Sequence, residues 1–220
     1  MGKKYVIFDL DGTLIDSIPD MCREISLFLK DHGRRELTAA EAMSIIGNGA
    51  AMMLKGAYAL TGEPVSETAL PDLLACWISQ YSHAQMALTK PYPHVVETLN
   101  LLKKDGYKLA VCTNKPAGPT KAILDKLDLR KYFDVVLDAD ALPVRKPNPE
   151  PLWEAVKRMG GSNENAVMVG DGETDAQAAR AAGFPVILLT YGYAHIPFEE
   201  IKPDILIDRF SDLPAALKQI

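Results

Sequence analysis

Asp9 and Asp11 stand two residues apart at the end of a short apolar run, Tyr5-Val6-Ile7-Phe8, and Gly12 follows at once. A strand that buries its side chains and then delivers two carboxylates is an unusual place for charge, because a buried charge needs a partner. A metal ion supplies one. Asp and Gly also form ordinary turns, and Gly12 permits a tight turn that a side chain would resist. A second apolar run, Ala166 to Val169, opens into Gly170-Asp171-Gly172-Glu173-Thr174-Asp175, so Asp171 is placed as Asp9 is. A few carboxylates completed by water and phosphate oxygens are how proteins hold Mg²⁺. Glu173 and Asp175 also suit the negative first turn of a helix.

Two further positions complete a set. Thr113 follows the apolar run ending at Cys112, where its hydroxyl can donate to a phosphate oxygen and Asn114 can orient a neighbour. Lys146 lies in Arg145-Lys146-Pro147-Asn148-Pro149. A cation there can neutralise charge on a phosphoryl group and on Asp9. Taken singly, Thr113 reads as a helix cap and Lys146 as a solvated charge.

These residues are useful only if the chain brings them together. The apolar runs at Tyr5–Phe8, Lys108–Cys112, 135–137, 166–169, 185–189 and 205–207 read as strands covered on both faces. Between them lie helical patterns: Val95, Val96, Leu99 and Leu102; Ile123, Leu124 and Leu127; Leu152, Val156 and Met159; and an alanine-rich stretch from Thr174 to Ala182 that stops at Gly183. Alternation of this kind from about residue 94 onward predicts an α/β fold, a Rossmann-like parallel sheet with helices on both faces. In such sheets ligands bind beyond the carboxyl ends of the strands, where Asp9, Thr113 and Asp171 fall.

The stretch from Ile18 to Ala87 breaks the alternation, with no strand pattern. Ile18, Met21, Cys22, Ile25, Phe28 and Leu29 share one helix face, with Pro19 in the first turn. A second helix is expected to run to Ile46, a third from Ala50 to Leu60 after Gly47-Asn48-Gly49, and a fourth through Leu70, Leu73, Leu74, Trp77, Ile78 and Tyr81. The expected organisation is a catalytic core of residues 1–17 and 88–220 and a small all-helical cap of residues 18–87. Lys90-Pro91-Tyr92-Pro93 reads as the return linker, and a module on two short connections can act as a lid.

The chain has 220 residues, 48% hydrophobic and 24% charged, with a net charge of -5. That is enough to bury a core without disulfides or a structural metal. The negative balance argues against a nucleic-acid or membrane surface, and no apolar run approaches a membrane span. The 3 cysteines, Cys22, Cys76 and Cys112, form no C-x-x-C pair, and a reduced, cytoplasmic setting is expected.

Asp9-Leu10-Asp11-Gly12-Thr13-Leu14, strand-end Thr113, Lys146 before a proline, and Gly170-Asp171-Gly172-Glu173-Thr174-Asp175 together resemble the haloacid dehalogenase-like hydrolase superfamily in order and spacing. The resemblance implies a Mg²⁺-dependent phosphatase. Asp9 then corresponds to the nucleophile that attacks phosphorus. Asp11 corresponds to the general acid and later base, its backbone carbonyl binding the metal. Thr113 and Lys146 match the phosphate-binding pair, joined here by Asn114 and by Gly12 at the turn. Asp171 matches the carboxylate ligand and Asp175 a supporting acid. An ionised Asp9 can attack, given Mg²⁺ and Lys146 to cancel charge, whereas Asp11 must carry its proton into the closed complex, which a dry environment favours. The dehalogenases of the superfamily lack an acid at the place of Asp11, so its presence favours phosphoryl chemistry.

The helical insertion sits where this superfamily places its first type of cap, which implies a small phosphorylated metabolite as partner and a monomer or homodimer. Ile45-Ile46-Gly47-Asn48-Gly49-Ala50 resembles the cap segment of phosphoglycolate phosphatases. That resemblance turns Asn48 and Gly49 toward the site and offers Lys55 or Arg23 to a substrate carboxylate. It implies 2-phosphoglycolate as substrate. Gly172, where many of those enzymes carry Ser, and Asp138-Ala139-Asp140 depart from the pattern. The alternatives on the same scaffold are a pyrophosphatase, a broad sugar-phosphate phosphatase, a β-phosphoglucomutase-type phosphotransferase, or a non-catalytic binding protein, which would ordinarily have lost one of the acids retained here. His94 and His195 are assigned no role, and Trp77 and Trp153 are read as packing residues.

Overall fold

The computed structural model describes residues 4–47 and 49–220. Six strands, β1 (Tyr5–Phe8), β4 (Lys108–Cys112), β5 (Val135–Leu137), β6 (Ala166–Gly170), β7 (Val186–Leu189) and β8 (Ile205–Ile207), form one sheet in the order β5-β4-β1-β6-β7-β8. Every pairing in it is parallel. β1 lies at the centre, with Phe8 beside Val111 on one flank and Val169 on the other.

Side chains alternate across the sheet, as the period of two requires. Val6, Phe8, Val111, Val167 and Val169 join one apolar layer. Ile7, Ala110, Cys112, Met168 and Leu188 join the other. The first layer is closed by α5 (Val95–Lys104), through Val95, Leu99 and Leu102, and by Ile123 and Leu124 of α6 (Ala117–Lys126). The second is closed by Leu152, Ala155 and Val156 of α7 (Glu150–Arg158) and by Ala176, Ala178 and Ala179 of α8 (Glu173–Ala182). Small alanines let α8 lie close on β6 and β7, with which it packs. α8 ends at Gly183, φ +76°, the left-handed stop expected there.

The insertion contains four helices among its described residues: α1 (Ile18–Asp31), α2 (Ala39–Met43), α3 (Ala50–Thr61) and α4 (Leu70–His83). Trp77 of α4 is buried, with its ring 5.2 Å from the stacked Tyr81 and 5.7 Å, edge-on, from Phe28 of α1. α4 packs on α6, and Leu54, Trp77, Phe8 and Val111 belong to one continuous apolar cluster. The insertion therefore shares its core with one face of the sheet.

Two expectations need correction. The second helix ends at Met43, not Ile46: a capping box between Thr38 and Glu41 starts it, but Ser44 to Gly47 turn away before a further helical turn can form. The return linker is also partly a strand. β2 (Ile15–Asp16) and β3 (Lys90–Pro91) pair antiparallel, Ile15 with Pro91 and Asp16 with Lys90. Two-residue strands carry no readable period. The chain thus enters and leaves the insertion side by side. No helix among the described residues is long and apolar enough to cross a membrane.

Candidate active site

The parallel sheet sends Asp9, Thr113 and Asp171 to the same edge. The Asp9 amide still donates to Val169 at 2.9 Å, and that of Thr113 to Leu137 at 2.9 Å, so both leave their strands in register. Gly12 then turns the chain at φ +81°, its amide donating to the Ile15 carbonyl at 3.0 Å. A Cβ at Gly12 would stand 2.2 Å from Asp171 Oδ2; one at Gly192 would stand 2.1 Å from Asp171 Cβ, and one at Gly170 2.3 Å from Asp175 Oδ2. Backbone therefore closes on the acids from three directions, which only glycine allows.

Lys146 is buried within this cradle. Its Nζ donates to Asp175 Oδ1 at 2.7 Å and forms an ion pair with Asp9 Oδ1 at 3.0 Å. Asn114 holds the Lys146 segment through Nδ2 to the Lys146 carbonyl at 2.9 Å. Asp175 Oδ2 accepts from the Asp171 amide at 3.1 Å. Asp171 Oδ1 accepts from the Thr13 hydroxyl at 2.8 Å, and its Oδ2 from the Tyr193 amide at 2.7 Å. Thr113 Oγ1 accepts from the Lys115 amide at 3.1 Å. That bond leaves the Thr113 hydroxyl hydrogen available to a ligand.

Carboxylate oxygens of Asp9, Asp171 and Asp175 all lie within 4.8 Å of one another. Burial pushes the Asp9 carboxyl up to about 6 despite Lys146 beside it, with Asp175 adding to the rise. Burial, then Asp175 and Asp9, raise Asp171 well above the usual carboxylate range. Burial alone would lower Lys146, but Asp175 and Asp9 hold it above its ordinary value. Three acids face one lysine, and buried Asp9 Oδ1 has the Lys146 ion pair beside it but no well-aligned hydrogen bond. A divalent cation fits that donor set, with oxygen ligands and uncompensated negative charge.

Asp11 turns the other way. Both of its oxygens accept from Lys115 Nζ, each at 3.1 Å, and Oδ1 also accepts from the Ser17 hydroxyl. Lys115 Nζ is also 3.0 Å from the Tyr81 hydroxyl oxygen on α4. Burial opposes its charge, but Asp11 and Tyr81 hold the ammonium above its ordinary range. Sequence reasoning missed Lys115, because a lone lysine between Asn114 and Pro116 looks like surface. Its place two residues beyond a strand-end threonine was the available signal. Thr13 and Tyr193, which orient Asp171, were missed as well, being ordinary polar residues until the fold brings them near.

Two adjoining cavities meet at Asp9 and Asp11. One is polar, lined by Lys146, Asp171, Glu173, Asp175 and His195 among others. The other, about 570 Å³ with its open mouth included, lies under the helices and is lined by Met21, Ile46, Met53, Trp77, Ile78 and Tyr81, with Thr113, Asn114 and Lys115 at its floor. Gly49, φ +85°, lines it too; Asn48 lies outside the described residues. Neither cation suggested for the insertion lines either cavity. Arg23 pairs with Asp20 and Glu24, and Lys55 with Glu67. His94 is exposed at the start of α5. His195 has a structural contact the sequence did not show, its Nε2 lying 2.6 Å from the Ile46 carbonyl of the insertion.

Comparison with known proteins matches residues 6–189 to the model of the haloacid dehalogenase-like hydrolases. A phosphoglycolate phosphatase of Agrobacterium fabrum is 36% identical over 96% of this chain and 91% of its own. Phosphoglycolate phosphatase 1 of Pseudomonas aeruginosa is 38% identical over 96% of this chain and 78% of its own. Among solved structures, a predicted phosphoglycolate phosphatase from Haemophilus somnus superposes with a TM-score of 0.90 at 34% identity, covering 97% of each chain.

Proposed function

The chain belongs to the haloacid dehalogenase-like hydrolases and is a phosphatase of the phosphoglycolate phosphatase-like group, and from that premise we propose that it hydrolyses 2-phosphoglycolate to glycolate and phosphate through Asp9. The observation that carries the residue roles is the convergence of Asp9, Lys146 and Asp171 at one mouth, with Asp11 next to the cavity under the helices. An Asp9 carboxylate oxygen attacks phosphorus and the ester P–O bond breaks. Asp11 gives its proton to the departing oxygen, which leaves as the alcohol. Water then attacks phosphorus of the aspartyl phosphate and gives its proton to Asp11. The Asp9–phosphate bond breaks, releasing phosphate and restoring the carboxylate. Lys146, Thr113 and Asn114 bind the phosphoryl oxygens, and Gly12 lets the backbone approach them.

Mg²⁺ is the proposed cofactor, held by Asp9, Asp171 and the Asp11 carbonyl, with Asp175 in support. When bound it cancels negative charge between nucleophile and phosphoryl group. Residues 18–87 act as the cap and 1–17 with 88–220 as the core. The apolar cavity under the helices favours a small leaving group over a polyhydroxylated sugar. The three free cysteines agree with a cytoplasmic setting.

Phosphate release is to be measured for 2-phosphoglycolate, pyrophosphate, sugar phosphates and an aryl phosphate, with and without Mg²⁺. Mg²⁺-dependent preference for 2-phosphoglycolate is the expected result. Even activity over the panel removes the substrate assignment, and an active Asp9→Asn protein overturns the mechanism.

A further inference from the structure

The phosphoryl chemistry uses Lys146 and leaves the second buried cation of the cleft without a task. Lys115 is the one cation among the described lining residues of the cavity under the helices. Its side chain is only 3% exposed. Its three N–H donors face the two oxygens of Asp11 and the hydroxyl of Tyr81. Against it lie Met21, whose sulfur is 3.8 Å from Nζ, and the Tyr81 ring, whose centre is 4.7 Å away, and Trp77 and Ile78 line the same cavity. An ammonium in such surroundings is tolerated only with an anion against it.

At present that anion is Asp11, the proposed acid. To protonate a leaving oxygen, Asp11 must turn from Lys115 toward phosphorus, and as a neutral carboxyl it no longer balances the ammonium. A carboxylate on the leaving group would replace it at that moment. A neutral leaving group offers no such exchange.

We propose that Lys115 is the specificity-determining residue of this cleft, a subsite for a carboxylate on the leaving group that Asp11 occupies until substrate arrives. An anionic substrate then does two things: it binds Lys115, and it frees Asp11 to take up a proton from solvent and pass it to the leaving oxygen. The preference for a carboxylate is accordingly expressed in kcat as well as in KM. The inference rests on the phosphatase reading above and names the residue that recognises the carboxylate of its substrate.

The test compares 2-phosphoglycolate with 2-hydroxyethyl phosphate, which replaces the carboxylate by a neutral CH₂OH at similar size, on the full chain with Mg²⁺. Wild type is expected to prefer the carboxylate. In Lys115→Met, which keeps side-chain length and removes the charge, the ratio of the two kcat/KM values should fall by about 10- to 100-fold, the scale of a charge-assisted hydrogen bond in a dry site. Lys115→Gln gives the same comparison should the Met variant not fold. A wild-type preference that survives both substitutions overturns the assignment to Lys115 while leaving the phosphatase reading intact. Equal losses on both substrates also overturn it, since they show a residue that serves only the fold or Asp11. A wild type that hydrolyses both equally has no carboxylate subsite, and one that hydrolyses neither removes the reading beneath.

Discussion

Lys146 and Lys115 are both buried, both lie at the carboxyl edge of the sheet, and both hold an aspartate of the Asp9-Leu10-Asp11 segment, yet their surroundings differ. Lys146 has Asp9 and Asp175 for partners, the first at the end of β1 and the second in the first turn of α8 packed on the sheet. Lys115 has Asp11 on one side and Tyr81, from the helical insertion, on the other. One lysine is embedded in a scaffold that has no reason to move. The other spans the boundary between the sheet and the helices of the insertion. The first suits a task common to every phosphate monoester, the second a task that depends on what the phosphate is attached to.

The largest effect expected from breaking this arrangement is at Asp9. Asp9→Asn should lower turnover by at least about 10⁴-fold, as removal of a nucleophile does, in a phosphate-release assay. The same variant should be more stable than wild type in metal-free buffer at neutral pH. The folded Asp9 carboxyl, raised from 3.8 to about 6, holds its proton more tightly than the unfolded one. Folding of the metal-free protein is therefore favoured at low pH and loses stability as pH climbs between those values. The gain for Asp9→Asn above that window is about 1–3 kcal/mol, read by thermal melts with a chelator across pH 4 to 8, and a variant less stable than wild type above pH 6 would contradict it.

Lys146→Ala should cost about 10³-fold in kcat/KM, the scale of losing a main electrostatic stabiliser, and by the same factor on carboxylate-bearing and neutral substrates. Unequal losses would erase the distinction from Lys115. Gly192→Ala forces a Cβ into Asp171; the backbone or Asp171 must shift, with a cost of about 1–3 kcal/mol in stability and a weakened response of melting temperature to Mg²⁺. A variant that keeps the full Mg²⁺ shift would show that Asp171 is not a ligand. The smallest effect is expected for Tyr81→Phe. It removes one hydrogen bond to Lys115, worth about 0.5–1.5 kcal/mol, and should alter the carboxylate-to-neutral ratio by less than either Lys115 variant while sparing the neutral substrate more.

The same contrast explains what the sequence made legible. β1, β4 and β6 were readable because central parallel strands are apolar on both faces, and the acids at their ends were readable because charge interrupts those runs. Lys146 could be paired with Asp9 because prolines mark its segment and a known motif order carries it. Lys115 had only its place two residues beyond Thr113 to mark it: what sets it apart is burial, and that is decided by Met21 of α1 and Tyr81 of α4 closing over it. Tyr193 is similar, since its amide reaches Asp171 while its hydroxyl donates to Asp16 at 3.2 Å and accepts from the Ser17 amide at 3.1 Å. The acidic ends of strands were local facts, while the groups that orient Asp171 come from 22 and 158 positions away.

The pairing of Ile15 with Pro91 and Asp16 with Lys90 has a consequence for exchange of parts. A segment whose two ends emerge one strand spacing apart, about 4.8 Å, can be lengthened, shortened or replaced without displacing the sheet that carries it. Grafting at that pair exchanges the helical wall of the cavity in a single splice, and the graft need only bring its own cover for the apolar face of α6 and its own partner for Lys115. In this chain the helical segment is thus a separable unit of inheritance, joined at two pairs of residues, while Lys115 stays with the sheet.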